Sequence, residues 1–337
     1  MNERNLIYNI CILQVIGPIL VILGHSLNGF NVPADNLWWI LSKRWIYIFH
    51  MPLFFMISGF LIARKGWLRQ ITYRSFMHKK AVRLLLPYLV WNLVFILPKF
   101  LLQPLLTDSV TLNVWDLIKV FLCPRENIWG HTWYLVAAFL TYGAVPFFER
   151  ITRRPLHIPY LLLLIILAAE LYSLPANTTF LCIGDLHKDI PFFIMGCLLG
   201  QVQEDTLKNY CVRGWYCLLS IAGLLSVGAV YAEGNVWLKF LACTFILLAL
   251  VAFSLRTTTQ YTLIKTLAKN AFGIYIMHWP VMLATKLLCM HIFHLTLGFM
   301  VPLMIVAGYI VPNGILYLNR KIKNSHISKW TTILLGA

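Results

Sequence analysis

Charge is scarce in this sequence, and negative charge most of all. Only 12% of its 337 residues are Asp, Glu, Lys or Arg, with 12 acids against 28 Lys and Arg. Hydrophobic residues make up 60%, and the mean hydropathy is +0.74. A water-soluble domain of this length could not cover so much apolar surface, so the soluble enzyme scaffolds are excluded. Metal-ligand spacing is missing too. The eight cysteines form no CxxC pair, and most sit in apolar runs where Cys behaves as a small hydrophobe. Neither a disulfide framework nor a metal is expected. There is no internal repeat, no low-complexity tract and no break in composition. One membrane domain over 1–337, with no appended soluble domain, is the expectation. No small-residue cleavage site follows the first apolar run, Ile7 to Leu27, which reads as a retained helix and not a removed leader.

What fills the chain instead is a series of apolar runs close to 20 residues long, the length of a membrane-crossing helix. The predicted fold class is all-α, a polytopic transmembrane helical bundle of about ten spans. They fall near 7–27, 46–62, 81–102, 131–148, 158–174, 190–203, 214–231, 236–254, 270–288 and 296–318. The segment VWDLIKVFLCP at 114–124 is amphipathic and suits an interfacial position. The net charge of +16 could suggest nucleic acid, but most Lys and Arg gather in the short loops that alternate between these spans. That is the pattern of cytoplasmic loops. It places both termini in the cytoplasm and makes membrane lipid, not nucleic acid, the partner of the positive charge.

The first run contains QVIGPILVILGHS, where a Gln, a Pro and a His interrupt apolar sequence. Gln14 and His25 are eleven residues apart, almost three helical turns, and so face the same way about 16 Å apart. Pro18 cannot donate to the carbonyl of residue 14. Freed backbone at membrane depth is tolerated beside protein or a wet cavity. The pattern therefore implies a polar-lined cavity along the first helix, with His25 at its outer end.

Several stretches together resemble the acyltransferase-3 family of bacterial integral-membrane acyltransferases, and within it the fucose O-acetylase-like group. They are ILVILGHS at 19–26, FHMPLFFMISGFLIARK at 49–65, KKAVRLLLPYLVWN at 79–92, HTWYLVAAF at 131–139, PFFIMGCLLG at 191–200 and LAKNAFGIYIMHWPV at 267–281. The resemblance implies transfer of an acetyl or similar group to a carbohydrate hydroxyl. The co-substrate would be acetyl-CoA or another acyl-CoA. The acceptor would be an envelope glycan or a lipid-linked sugar, and the location the bacterial inner membrane. The family hallmark is a basic residue, ten residues, then His. His25 matches the histidine, whereas the basic position falls on Gln14 and the preceding acidic position on Cys11. Gln14 cannot supply a fixed charge. Donor binding then rests on other residues, the donor differs, or activity has been lost.

Within that resemblance His25 is the candidate general base, since an imidazole can take a hydroxyl proton near neutral pH. Glu170, at the outer end of its span, is the candidate carboxylate partner. Gln14 and the basic residues Arg64, Lys79, Lys80 and Arg83 are candidates for the donor phosphates. His50, Ser58, Trp133 and His278 are candidates for the acceptor. Trp133 and Tyr134 also suit an aromatic belt, and Ser58-Gly59 suits close helix approach. The polar stretch IGDLHKDIP at 183–191 reads as an outward loop. The competing reading is a polysaccharide exporter or other membrane transporter, because broken helices and intramembrane polar groups also suit transport.

Overall fold

The computed structural model describes residues 3–28, 30, 36–66, 71–101, 113–126, 129–152, 158–174, 179–232, 234–257, 261–321 and 325–335. Within them the chain is helical, with no strand. The helices are α1 (Glu3–Ser26), α2 (Leu37–Lys65), α3 (Tyr73–Leu101), α4 (Val114–Leu122), α5 (Trp133–Gly143), α6 (Val145–Thr152) and α7 (Ile158–Ser173). They continue with α8 (Ile183–Gln201), α9 (Glu204–Val212), α10 (Trp215–Tyr231), α11 (Val236–Leu255), α12 (Thr262–His291), α13 (Leu297–Lys321) and α14 (Ser325–Leu335).

Among the described residues, six helices are long and apolar enough to cross a membrane: α1, α2, α3, α11, α12 and α13. Two further crossings arise if each bent pair is one span. One is Gly130–Gly143 with α6, bent by 58°; the other is α9 with α10, bent by 61°. The two remaining predicted spans fall on α7 and α8. Helix α7 is short at 16 residues, and α8 carries Asp185, Lys188 and Asp189.

Helix α2 starts nine residues earlier than predicted. Asn36 caps it, its side chain accepting from the Trp39 N–H at 3.2 Å, and Gly66 ends it in the left-handed conformation at φ 55. In the fold the Arg44 stem runs along the bundle and its guanidinium donates to the Val230 carbonyl at 3.4 Å. The loop reading of 183–191 is overturned. Leu181 and Cys182 turn the chain through positive φ, and α8 begins at once at Ile183. Asp185 then pairs with Arg125 at 2.6 Å, and Asp189 is buried.

Lipid is as apolar as a side chain, so helices in a membrane associate through close packing. The closest seam here joins α2 and α8. A Cβ added at Gly59 would lie 2.1 Å from the Phe193 carbonyl oxygen, and one at Gly196 would lie 2.0 Å from that of Met56. The two backbones touch, as only glycine allows. Helix α1 packs between α2 and α12. Asn270 on α12 donates to Asn313 on α13 at 2.7 Å and accepts from Arg320. Helix α14 folds back on the bundle, where the Trp91 indole donates to the Leu334 carbonyl at 2.8 Å.

Candidate active site

A cavity of about 810 Å³ opens at one end of the bundle between α1, α2, α3, α5 and α12. Five cations line it: Lys65 from α2, Lys80 and Arg83 from α3, and Lys265 and Lys269 from α12. The sequence explains how α3 presents two of them. Pro87 has no N–H to offer the Arg83 carbonyl. The turn before it widens into a π-helix over Ala81–Leu85, with the Leu86 N–H bonded to the Ala81 carbonyl. Lys80 is buried with its Nζ 3.7 Å from the centre of the Tyr142 ring, and the Arg83 guanidinium lies 5.5 Å over Phe272. On the α1 side, Tyr8, Cys11 and Gln14 complete the wall. Tyr8 also ties α1 to the start of α12, its hydroxyl accepting from the Tyr261 N–H at 2.8 Å.

Deeper in, the cavity reaches Ser58 and the rings of Phe54, Tyr134 and Tyr275. The Ser58 hydroxyl sits against the phenols of Tyr134 and Tyr142. Beyond these rings lies a cluster of three imidazoles. His25 is 5.3 Å from His278 and 6.2 Å from His131 between ring centres, and His131 is 5.3 Å from His278. Trp279 closes one side, 5.0 Å from His25 and 5.9 Å from His131. Among the described residues no His, Cys, Asp or Glu side chains are grouped to hold a metal ion.

Each imidazole has its own support. His25 ends α1, where the Asn28 N–H returns to its carbonyl at 3.1 Å. His131 sits in the 3-10 turn Gly130–Thr132, fastened from several sides. Asn92 on α3 donates to Thr132 at 3.1 Å and accepts from the Trp129 N–H at 3.3 Å, while the Tyr275 hydroxyl donates to the His131 carbonyl. His278 lies fully buried in α12, with its Nδ1 2.6 Å from the Tyr275 carbonyl oxygen. A carbonyl only accepts, so Nδ1 carries the hydrogen, and in the neutral ring Nε2 is left with the lone pair. That Nε2 is buried without a hydrogen-bond partner, as is Nε2 of His131. The cluster thus holds ring nitrogens that the fold itself leaves uncommitted.

The residues singled out from the sequence divide between these zones. Gln14, Lys80, Arg83 and Ser58 line the cavity; His25 and His278 belong to the imidazole cluster. Arg64 turns away and donates to the Val202 carbonyl at 3.3 Å, and Lys79 is exposed on α3. His50 is buried on α2, its Nδ1 2.9 Å from the Ile46 carbonyl and its ring against Tyr47. Trp133 is buried beneath the Arg125 guanidinium at 4.1 Å. Glu170 is exposed on α7, and the rings bordering His25 are two imidazoles and an indole. His131, Trp279, Lys65, Lys265 and Lys269 were not singled out. The lysines stood at helix ends and read only as topology signals. His131 lay inside the quoted stretch HTWYLVAAF, and its neighbouring tryptophans were the one hint of a buried setting.

The comparisons with known proteins bear on the whole chain. The Acyltransferase domain family, acyltransferase-3, matches residues 7–312. The chain belongs to the acyltransferase-3 family. The nodulation protein NolL of Mesorhizobium japonicum is 28% identical over 213 residues, covering 61% of this chain and 52% of that protein. NolL of Sinorhizobium fredii is 27% identical over 188 residues, 56% of this chain and 47% of its own length. The inner membrane protein YcfT of Escherichia coli is 23% identical over 291 residues, 80% of this chain and 75% of YcfT. The chain thus spans about half the length of the nodulation proteins it matches. No solved structure matches. For this member of the acyltransferase-3 family, the multi-pass helical bundle and the family agree: the matched region includes both the basic cavity and the imidazole cluster.

Proposed function

We propose that this protein is a membrane acyltransferase that moves an acetyl or similar small acyl group from an acyl-CoA to a hydroxyl of an envelope or surface glycan unit. The observation that carries this reading is the arrangement of the site: a cavity bordered by five cations leads toward three clustered imidazoles. The cations suit the phosphates of a CoA thioester, through charge-assisted hydrogen bonds from Arg83 and point charges from the lysines. They supply the positive charge that Gln14 lacks. In this reading the basic end faces the cytoplasm, where acyl-CoA is available, and the host membrane is the bacterial inner membrane.

Chemistry follows from the imidazoles. His25 removes the proton of the acceptor hydroxyl as its oxygen bonds to the thioester carbonyl carbon. Collapse of the tetrahedral adduct breaks the carbon–sulfur bond, and the departing thiolate takes the proton back. His278 offers its Nε2 lone pair to a neighbouring acceptor hydroxyl and so orients the sugar. Glycan acceptors carry several hydroxyls, which suits a cluster with more than one open ring nitrogen.

The test is mass spectrometry of surface glycan from cells carrying the intact gene, a deletion and His25→Ala, beside transfer of labelled acetyl from acetyl-CoA in membrane vesicles. Loss of one acyl mass in both altered strains is expected, with His25→Ala protein at normal level. An unchanged acyl pattern with glycan export lost would replace this reading with transport.

A further inference from the structure

Beside His25 the fold leaves two buried polar atoms of opposite kind without partners. One is Nε1 of Trp129, the other Nε2 of His131. Their rings meet edge to face, 5.6 Å apart between centres, and His131 lies 6.2 Å from His25. A buried indole N–H usually finds an acceptor. One left open next to an open ring nitrogen calls for a reason.

Both rings are held. The Trp129 backbone N–H donates to Asn92, and its carbonyl accepts from the Thr132 hydroxyl at 2.8 Å. Its indole packs edge-on to Phe95 at 5.0 Å, and Phe95 is stacked on Trp91. The His131 ring hydrogen-bonds to the backbone of Ile276 on α12. The sequence of α12 explains that bond. In a helix the Ile276 N–H is spent on the carbonyl four residues back. The Ile276 carbonyl would accept from residue 280, but that residue is Pro280, which has no N–H. The freed carbonyl accepts, so the imidazole donates. Since Nε2 has no partner, the donor is Nδ1, and the neutral ring keeps its lone pair on Nε2. The pair is then an indole nitrogen that only donates and an imidazole nitrogen left to accept. What satisfies both must take a hydrogen from one and give a hydrogen to the other, as a hydroxyl does.

We propose that Trp129 and His131 form a hydroxyl-binding subsite for the acceptor sugar, in which one hydroxyl accepts from the Trp129 indole and donates to the His131 Nε2. The proposal rests on the reading that His25 activates a glycan hydroxyl. The hydroxyl bound here is neither the one acylated at His25 nor the one held by His278. The acceptor is thus a sugar unit with a third free hydroxyl near the reacting one. A unit that has only hydrogen at that position, or already carries an ester there, has nothing to donate to His131 and is disfavoured.

The experiment uses vesicles containing the full chain, labelled acetyl-CoA, and unacylated glycan extracted from the deletion strain as the titrated acceptor. A KM does not depend on how much protein folds. Trp129→Phe and His131→Phe should each raise the acceptor KM by about tenfold, the worth of one hydrogen bond, and leave the donor KM unchanged. The double variant should rise well short of the roughly 100-fold that two independent losses give, because both contacts are to one hydroxyl. An acceptor KM unchanged in both single variants, with the intact protein active, overturns the subsite alone and assigns the two atoms to buried water. A full roughly 100-fold rise in the double variant assigns them to separate groups and overturns the shared hydroxyl. No acetyl transfer by the intact protein overturns the acyltransferase reading, and the subsite with it.

Discussion

The two zones of the site are built by opposite means. The basic cavity draws its charge from long side chains near helix ends, Lys65, Lys265 and Lys269 among them. The imidazole cluster takes its groups from a helix terminus, a tight turn and the middle of a buried helix, and hydrogen bonds at the His25, His131 and Tyr275 carbonyls tie that backbone and the His278 ring in place. Flexible cations suit a large polyanionic ligand that can be held in several ways. Rigid rings suit a reaction in which one proton must move along one path. The contrast separates binding from chemistry, and it predicts that mutations in the two zones will have different kinetic signatures.

The largest effect should come from His25→Ala, which removes the proposed base. Turnover should fall by about 10²–10⁴-fold with little change in donor KM; a KM effect alone would move His25 from chemistry to binding. Next is His278→Asn. The amide can still donate to the Tyr275 carbonyl but offers no ring lone pair, so turnover should drop by about 10²-fold while the protein stays folded. Full activity would mean that His278 serves packing only. In the cavity, the double change Lys265→Gln with Lys269→Gln should raise donor KM by about tenfold, with turnover kept, and the difference should shrink in high salt. A turnover defect with unchanged KM would dissolve the proposed contrast between the zones.

Two smaller effects sharpen it further. Gly59→Ala forces a methyl into the α2–α8 seam and should destabilise the fold by about 1–3 kcal/mol, read as a lower unfolding temperature in detergent. Glu170→Gln should leave acyl transfer within about twofold of normal, as surface changes away from a site usually do. A strong loss would bring Glu170 back as a partner of His25.

Much of the architecture was legible because membrane helices announce themselves by length and apolarity. The eleven-residue spacing of Gln14 and His25 likewise set both on one side of α1, where Gln14 meets the cavity and His25 the imidazoles. The predicted span at 46–62 omitted the first nine residues of α2, which include Lys43 and Arg44; a long charged side chain can lie along a helix and reach a carbonyl, as Arg44 does at Val230. The α8 start was missed because four polar residues in nine masked a helix whose charge is partly neutralised by Arg125, distant in sequence. His131 and the α12 lysines could not be grouped with His25 or Gln14 from one sequence, since their proximity comes only from how α1, α5 and α12 pack. Motifs mark what each segment carries; they do not say which segments meet.

The glycine contact between α2 and α8 also has a mechanical consequence. Where backbone lies on backbone there are no side chains to change rotamer, so the seam has no give and one helix cannot slide past the other without breaking contact. These two helices are the fixed post of the molecule. Any widening that lets a bulky ligand in or out must then come from the other cavity walls, α1, α3, α5 or α12, moving against that post.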